Sequence, residues 1–411
     1  MRKLTVASIA SVCMVPMLFA SQDASAVPAF ARKYQTSCYT CHSGFPNRNA
    51  FGEAFKNNGY RWPGGEDEEK SKQEQTKMGS DGWKKTFPES PWPSDIPGFA
   101  PFALYITGPL VNYSDQVKDK NNVEKTKQAL NWNGPDDARI LFGGTIGENI
   151  GIVGAIEGIG KGTTTTNMRV TYAFAPGVNL GFGNGFSAFT GLATPLSVYT
   201  SVFPASGTSV EVNYNVGKTG GFNVIAGLAS KDKTGSSPVT SKLDDTSYLR
   251  LKYKFGGAGL LSGAGGTYGN EFVGLDNCFQ VGASVVGARP TILTGTYTNE
   301  TLVYGVDASG NYGSFTGGAA ISKGRELSRS NYAVDAGYYI YPWMLARVKY
   351  ASLGDLASKT NPTITPSLTA WLRANVSLAA SYKIFTKHID PTQVDGRNNA
   401  NTFSLTAGLA F

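Results

Sequence analysis

Apolar residues at every second position dominate the chain from about Phe102 to its end, and this period constrains the fold more than any other feature. In the longest run the even-numbered positions from 368 to 384 are all apolar, while Thr369, Arg373 and Lys383 lie among the odd-numbered positions. Side chains alternate between the two faces of a β-strand, so such a segment has one face suited to lipid and one suited to water. Repeated between turns rich in Gly, Asn, Asp and Ser, the pattern predicts a transmembrane β-barrel.

The predicted barrel is all-β and occupies residues 99–411. Bacterial single-chain barrels have even strand numbers, so a count of roughly 14 to 18 segments makes about 16 antiparallel strands the central prediction. The last segment ends on the aromatic Phe411, which resembles the terminal strand by which outer-membrane proteins are recognised for assembly. A soluble β-sandwich or solenoid is the alternative, but a sandwich rarely sustains so many strands with an apolar outside and a charged inside.

The composition excludes several other classes of protein. Only 16% of the residues are charged, compared with about 25% in ordinary soluble domains. After residue 26 no stretch approaches the ~18 apolar residues of a spanning helix, which excludes a helical membrane bundle. The net charge is +7, but Lys and Arg are scattered singly along the chain. Nucleic acid is therefore not expected as a partner, because its binders gather basic residues on one stripe.

Residues 1–26 have the features of a cleaved signal peptide. Arg2 and Lys3 precede an apolar run, and an Ala-Ser-Ala sequence at 24–26 supplies the small residues that a signal peptidase requires. The mature chain then begins at Val27. A retained membrane anchor is the alternative, although the run is short for a spanning helix. Export and a barrel together predict the outer membrane of a Gram-negative bacterium.

Residues 38–42 read Cys-Tyr-Thr-Cys-His, which is the attachment signature of a c-type haem. One helical turn presents the thiols of Cys38 and Cys41 to the two vinyl groups of one porphyrin, and His42 then offers its imidazole to the iron. We therefore expect one covalently attached haem c with His42 as its proximal ligand. A disulfide or an incomplete zinc site is the alternative, but zinc requires two further Cys or His ligands.

The segment after the motif predicts a short amphipathic helix within 46–60. Phe51, Ala54 and Phe55 recur at i, i+3 and i+4 and so share one face. In so small a unit the obvious partner of that face is the porphyrin plane, so Phe51 and Phe55 are predicted to pack on the haem. Residues 27–98 are thus predicted to form a small α-helical cytochrome and plug domain.

From Pro28 to Tyr60 the chain resembles the amino-terminal haem segment of the fused cytochrome–porin iron oxidases of iron-oxidising bacteria. The likeness rests on Pro-Ala-Phe-Ala-Arg at 28–32, the haem motif, the proline at 46, and Phe-Gly, Phe-Lys and Gly-Tyr pairs at 51, 55 and 59. In that family a monohaem domain precedes an outer-membrane barrel in one polypeptide. The resemblance implies electron transfer from extracellular Fe(II) to a periplasmic carrier such as a cytochrome c, that is, an Fe(II)-oxidising electron-transfer protein.

The residues leave two other functions and the sixth haem ligand open. The barrel could instead pass solutes, with its haem a structural plug or a sensor, or electrons could flow outward to an external acceptor. Met78 is one candidate ligand, and its thioether would raise the reduction potential. His388 is the other candidate, in a loop predicted to face outward; it is alternatively part of an iron-capture patch or an inert loop residue.

A barrel of this size encloses an aqueous lumen that something must fill or gate. The haem segment and residues 63–97, with acidic side chains at 66–69, form the predicted plug. By parity six basic side chains point inward: Arg250, Lys252, Lys254, Arg347, Lys349 and Arg373. We hypothesise that they dock the acidic run on the wall, and a solvated linker is the alternative. Cys278 is predicted to face the lumen beside Gln280, with no function assigned.

Overall fold

The fold is described from a computed structural model that carries residues 29–44, 47–63, 70–71, 75–76, 96–97, 101–114, 117–118, 124–126, 129–132, 137–159, 164–189, 208–230, 246–262, 276–288, 292–293, 296–297, 301–324, 330–352, 362–373, 375–386 and 401–410. Within these residues, sixteen antiparallel strands pair in chain order and close into one barrel. The last strand pairs with the first, through Ala410 with Tyr105 and Thr402 with Ser114. The predicted closed barrel of sixteen strands is confirmed.

The strands are numbered along the chain. They are β1 Phe102–Ser114, β2 Ala129–Trp132 with Asp137–Ile146, β3 Ile150–Ile159, β4 Thr165–Ala175, β5 Val178–Asn184, β6 Thr208–Val216, β7 Thr219–Ala229, β8 Thr246–Ala258, β9 Cys278–Ala288, β10 Thr301–Tyr312, β11 Phe315–Gly324, β12 Asn331–Tyr341, β13 Met344–Ser352, β14 Thr363–Arg373, β15 Val376–Phe385 and β16 Thr402–Ala410. The two segments of β2 both pair with β1 and count as one interrupted strand. Four short pairs among the described residues do not belong to the barrel sheet, and one of them lies in the N-terminal residues described below. The other three are Gln75–Thr76 with Ile96–Pro97, Val117–Lys118 with Glu124–Thr126, and Ile292–Leu293 with Thr296–Tyr297.

The connections differ between the two ends of the barrel. Two or three residues join β2 to β3, β4 to β5, β6 to β7, β10 to β11, β12 to β13 and β14 to β15 at one end, which we call the short-turn mouth. Most connections at the other end, the long-loop mouth, are longer, for example 185–207 and 386–401. The barrel begins and ends at the short-turn mouth. Because bacterial barrels carry short periplasmic turns and longer extracellular loops, that mouth faces the periplasm.

Exposure alternates along the strands as the sequence predicts. On β8, Leu251 is 42% exposed while its neighbour Arg250 is 1% exposed, which places Leu251 on the outer surface and Arg250 in the lumen. Large apolar side chains dominate the exposed positions, including aromatic residues near the strand ends such as Phe174 and Trp343. An apolar outer band with aromatic residues at its edges is the signature of an outer-membrane barrel. Among the described residues, no helix has the length and apolar character needed to cross a bilayer.

The apolar run at 368–384 belongs to two strands rather than one. β14 ends at Arg373 and β15 begins at Val376, and the two form a hairpin. Leu368 pairs with Ala380, so even-numbered residues of both strands share the outer face. The register shift between Trp371 and Arg373 preserves this parity across the turn. Apolar residues therefore occupy every second position through both strands and the turn between them. This is why the sequence pattern alone indicates a single long strand.

The N-terminal residues contain little regular structure. Helix α1 is Ala29–Lys33 and helix α2 is Ala50–Asn57, with a 3-10 turn at Cys38–Thr40 and a short antiparallel pair of His42–Gly44 with Asn47–Arg48 between them. The predicted amphipathic helix is thus present over 50–57. Two short helices do not establish the small α-helical domain expected for 27–98, which stays a prediction.

Candidate functional site

Residues 29–44 and 47–63, together called the lumen segment, lie inside the barrel at the short-turn mouth. The Lys33 ammonium donates a hydrogen bond to Thr145, and the Arg61 guanidinium donates one to the carbonyl of Glu148, both beside the turn between β2 and β3. A Cβ on Gly151 of β3 would overlap the carbonyl of Gly59. The wall and the segment are therefore in direct backbone contact.

The two cysteines of the motif lie on one tight turn. The backbone N–H of Cys41 donates to the carbonyl of Cys38 at 3.2 Å, and Ser37 caps the turn by accepting from Tyr39. The side chain of Asn49 donates to the carbonyls of Tyr39 at 2.9 Å and Thr40 at 3.1 Å. Its amide oxygen also accepts from Gly52 and so caps α2. One asparagine thus fixes the cysteine turn against the helix.

The predicted apolar face of α2 is buried in an aromatic cluster. Phe51 and Phe55 are 3% and 7% exposed and pack with Tyr34 and Trp62. Ring centroids lie 5.0 Å apart for Phe51 and Trp62 and also for Tyr34 and Trp62. Cys41 is partly buried against the same cluster. The thiol therefore borders a surface of flat aromatic rings, a chemically suitable neighbourhood for a porphyrin.

Two aromatic side chains of the barrel wall hold the strand that contains His42. Trp371 of β14 is packed so closely on Gly44 that a Cβ at residue 44 would overlap the indole. The Tyr339 hydroxyl of β12 donates to the hydroxyl of Ser43 at 3.5 Å, and the Tyr339 and Trp371 rings are stacked at 6.3 Å. Both wall residues lie two positions from their strand ends at the short-turn mouth. Sequence parity places Trp371 in the lumen, but nothing in the sequence indicates its contact with Gly44.

The donor set of the motif fits a covalently attached haem. Cys38 and Cys41 are not joined in a disulfide. Burial raises the pKa of both thiols, that of Cys41 to about 12, so both stay protonated at neutral pH. His42 follows Cys41 directly, and its Nδ1 atom is buried. Within the described parts of the chain, no group of three or more His, Cys, Asp and Glu side chains is placed to hold a metal ion.

Four charged side chains interact at α2 inside the lumen: Glu53 and Lys56 of the helix, Arg48 just before it, and Lys252 of the wall. Arg48 donates to the Glu53 carboxylate at 2.6 Å. Desolvation by the surrounding protein acts to raise the pKa of Glu53, but the charges of Arg48, Lys56 and Lys252 outweigh it and lower that pKa to about 2. Burial, reinforced by the charge of Arg48, lowers the pKa of Lys56 to about 7. Lys252 belongs to β8, so this group links the helix electrostatically to the wall.

Asparagine side chains of the wall bind the C-terminal end of α2. The carbonyl of Asn57 accepts from Asn179 at 2.6 Å and from Asn215 at 3.4 Å. Asn223 in turn donates to Asn215 at 2.7 Å and to Asn213 at 2.8 Å. These four wall residues, 179, 213, 215 and 223, form an amide ladder across β5, β6 and β7. Helix C-terminal carbonyls require such donors, and the ladder supplies them without charge.

Three of the six predicted basic wall residues are paired with acidic residues within the barrel. Arg250 donates to both carboxylate oxygens of Asp307 at 2.6 and 3.0 Å. Lys254 contacts Asp276 at 2.5 Å, and Arg347 lies 3.5 Å from Asp335. The inward direction predicted for Arg250 and Lys254 is confirmed, but the sequence reading overlooked their acidic partners. The acidic run at 66–69 lies outside the described residues, so its docking stays a hypothesis.

A second piece of chain enters the lumen near the long-loop mouth. Ser187 and the backbone N–H of Ala188 donate to the buried Glu211 carboxylate at 2.5 and 2.9 Å. Phe189 packs on Tyr248 with ring centroids 5.0 Å apart. Inward-facing apolar residues of β7 to β13 complete this core: Ile225, Ala229, Val286, Val303, Ala320, Ala333 and Ala351. The alternation of the sequence does not predict this apolar core, because it assigns these residues to the lumen, where side chains are expected to contact water.

The remaining predicted residues divide into two groups. Cys278 is 9% exposed and accepts a weak hydrogen bond from Gln280, while Phe279 is 51% exposed, as parity predicts. Met78 and His388 lie outside the described residues. Thr386, the last described residue before His388, is at the long-loop mouth, opposite the end where Trp371 contacts Gly44.

The fold and the occupied lumen define a class of protein: a porin-like outer-membrane barrel of sixteen strands with its own N-terminal segment inside. No protein-family model matches the chain. No characterised protein matches its sequence.

Solved structures with a similar fold include outer-membrane proteins, of which DcaP is described as a channel. OmpF of Salmonella typhi, in complex with daunomycin, is 12% identical with a TM-score of 0.48, over 75% of this chain and 97% of that one. DcaP of Acinetobacter baumannii is 15% identical with a TM-score of 0.47, over 75% and 96%. A loop-deletion mutant of OmpT of Vibrio cholerae is 12% identical with a TM-score of 0.45, over 75% and 98%.

Proposed function

We propose that the chain is an outer-membrane electron conduit that holds one haem c on Cys38 and Cys41, with His42 as axial ligand, and oxidises extracellular Fe(II). The observation that carries the proposal is the position of the C-x-x-C-H turn inside a membrane barrel rather than on a free domain. The family likeness of 28–60 agrees with this arrangement. Each Fe(II) gives up one electron and becomes Fe(III), and a periplasmic carrier such as a cytochrome c accepts that electron.

The surroundings of the motif support this function. When bound, a haem supplies one-electron chemistry at a potential set by its ligands and burial. Phe51, Phe55, Tyr34 and Trp62 exclude water from one side of the cysteine turn. Trp371 and Tyr339 fix the strand of His42 to the wall. The chain thereby holds its attachment residues at the periplasmic mouth, where a soluble carrier can approach.

The test is a redox titration of the full-length exported protein, followed by visible absorption and mass spectrometry. We expect one added macrocycle per chain, reduction by Fe(II), and transfer of that electron to a soluble cytochrome c. The Cys38→Ala/Cys41→Ala variant is the matched control and should carry no covalent haem. A wild-type chain without the macrocycle, or with a haem that Fe(II) cannot reduce, would overturn the proposal.

A solute porin with a haem-bearing plug is the second candidate function. The observation that favours it is a stretch of lumen wall on β14 to β16 whose inward-facing Ser and Thr side chains are part-exposed. Measurable conductance with a haem insensitive to iron would support this candidate. Outward electron export uses the same parts, and the reduction potential measured in the titration decides the direction.

A further inference from the structure

Among the described residues, the lumen-facing side chains on one side of the barrel are covered more fully than those on the other. Inward-facing side chains of β4 to β12, for example Arg169, Glu211, Arg250 and Ser284, are buried. On β14 to β16, six inward-facing hydroxyl side chains are part-exposed, although the inward-facing Trp371 is buried. These six form a hydroxyl face made of Thr365, Ser367, Thr369, Ser377, Ser381 and Ser404.

The register places the hydroxyl face inside the barrel. Trp371 points inward because it contacts Gly44, and Ser377 is its partner on β15. Paired residues of adjacent strands share a face. Ser367 pairs with Ser381 and Ser381 with Ser404, so the stripe crosses three strands.

Positive charge borders this face. Arg347 and Lys349 of β13 pair directly with Ser367 and Thr365. Among the described inward-facing residues of β12 to β16, the cations are Arg347, Lys349, Arg373 and Lys383, and the acid is Asp335. Since Asp335 can neutralise one cation, an excess of positive charge remains. Guanidinium and ammonium groups donate charge-assisted hydrogen bonds to carboxylates and other oxyanions.

The hydroxyl face leads from the long-loop mouth to the haem motif. Ser367 lies four positions before Trp371 on β14, a rise of about 13 Å along the strand. Trp371 lies on Gly44, two residues from His42. A solute that follows the face from outside therefore arrives beside the attachment segment.

We propose that this side of the lumen is a binding passage for a small anionic solute that enters from the long-loop mouth. In the proposed function, on which this step rests, the solute is the electron donor. That donor is an anionic Fe(II) chelate rather than hydrated Fe²⁺. Hydrated Fe²⁺ is repelled by the excess of positive charge, whereas a polycarboxylate chelate is attracted by it.

The passage is tested without haem by charge-selective thiol modification. Ser367→Cys is introduced into the full-length chain in a Cys38→Ala/Cys41→Ala/Cys278→Ser background, and the background alone supplies the blank. We measure modification by negatively charged sulfonatoethyl and positively charged trimethylammonioethyl methanethiosulfonate, each relative to its rate with a free thiol in solution. At low ionic strength the anionic reagent should react at least about tenfold faster in these relative units. Adding Arg347→Gln and Lys349→Gln should remove the preference.

Two outcomes of that experiment overturn the passage. The first is equal or greater relative reactivity with the cationic reagent. The second is an introduced thiol at position 367 that reacts with neither reagent, or no faster than the matched control Ser284→Cys on the filled side. Both outcomes are measured on the Ser367→Cys variant alone. A folding defect caused by Arg347→Gln or Lys349→Gln therefore does not affect the test.

A second measurement separates this inference from the proposed function. In the haem-loaded protein, reduction by Fe(II)–EDTA, which is anionic, should slow several-fold in Arg347→Gln/Lys349→Gln, while reduction by neutral hydroquinone should not change. If neither reductant reduces the haem but the thiol preference holds, the electron conduit fails and the passage stands. If Fe(II)–EDTA reduces both proteins equally, the passage does not serve the donor.

Discussion

At the residue scale, the contact between Gly44 and Trp371 carries the clearest prediction. Gly44→Ala places a methyl group inside the indole, and overpacking of this kind costs about 1–3 kcal/mol. We expect the strand of residues 42–44 to leave the wall and its amide hydrogen exchange to rise. Gly144→Ala is the matched control, because a Cβ there meets nothing within 4 Å. Equal exchange in the two variants would contradict the contact.

The lowered pKa of Lys56 predicts a pH dependence of the lumen segment. The amine titrates near pH 7 in place and at its ordinary value of 10.5 once released, so the released segment binds more protons between these values. Docking therefore strengthens as pH rises from about 7 to 10.5, by at most about tenfold per pH unit, and is weakest below 7.

The measurement is amide hydrogen exchange of α2 at pH 6.5 and pH 9, corrected for intrinsic exchange. Protection should be greater at pH 9 in the parent protein. Lys56→Met removes the titrating group and should flatten the dependence. A parent without any change, or a variant that keeps the full change, would show that Lys56 does not govern docking.

At the element scale, the amide ladder predicts how α2 is anchored. Asn223→Leu removes the donor to the buried amide oxygen of Asn215, at about 1–3 kcal/mol, and leaves Asn215 as the donor to the oxygen of Asn213. Exchange of the α2 amides should increase, although α2 itself is unchanged. Asn331→Leu on β12, also buried in the lumen, is the control and should leave α2 protected. Similar exchange of the α2 amides in both variants would show that the amide ladder does not anchor α2.

Sequence periodicity predicted some elements and missed others for physical reasons. The helix face of Phe51 and Phe55 and the parity of Arg250 were predicted because they depend on local spacing. The hairpin of β14 and β15 read as one strand because a register shift keeps its parity. The partners of Arg250 and Gly44 are 57 and 327 residues away in sequence, and such pairs follow only from the closed register of the barrel.

At the scale of the whole molecule, two levels of the barrel are occupied by its own chain. The lumen segment lies at the short-turn mouth, and residues 185–189 lie near the long-loop mouth against β7 to β13. The sequence predicted a plug because a sixteen-stranded barrel encloses water. It could not predict which lumen-facing side chains the described residues cover, since covered and water-exposed positions have the same alternation in the sequence.

This division of the lumen predicts what the barrel conducts without its N-terminal segment. The sixteen strands close through their own pairing and none of them includes residues 29–63, so a chain that lacks these residues should still form the barrel. The uncovered amide ladder would then face water, and single-channel conductance in a planar bilayer should rise at least several-fold. Cys38→Ala/Cys41→Ala, which keeps the segment but has no thiols for attachment, should conduct like the parent. If the shortened chain folds but conducts no better than the parent, closure of the short-turn mouth does not depend on the lumen segment.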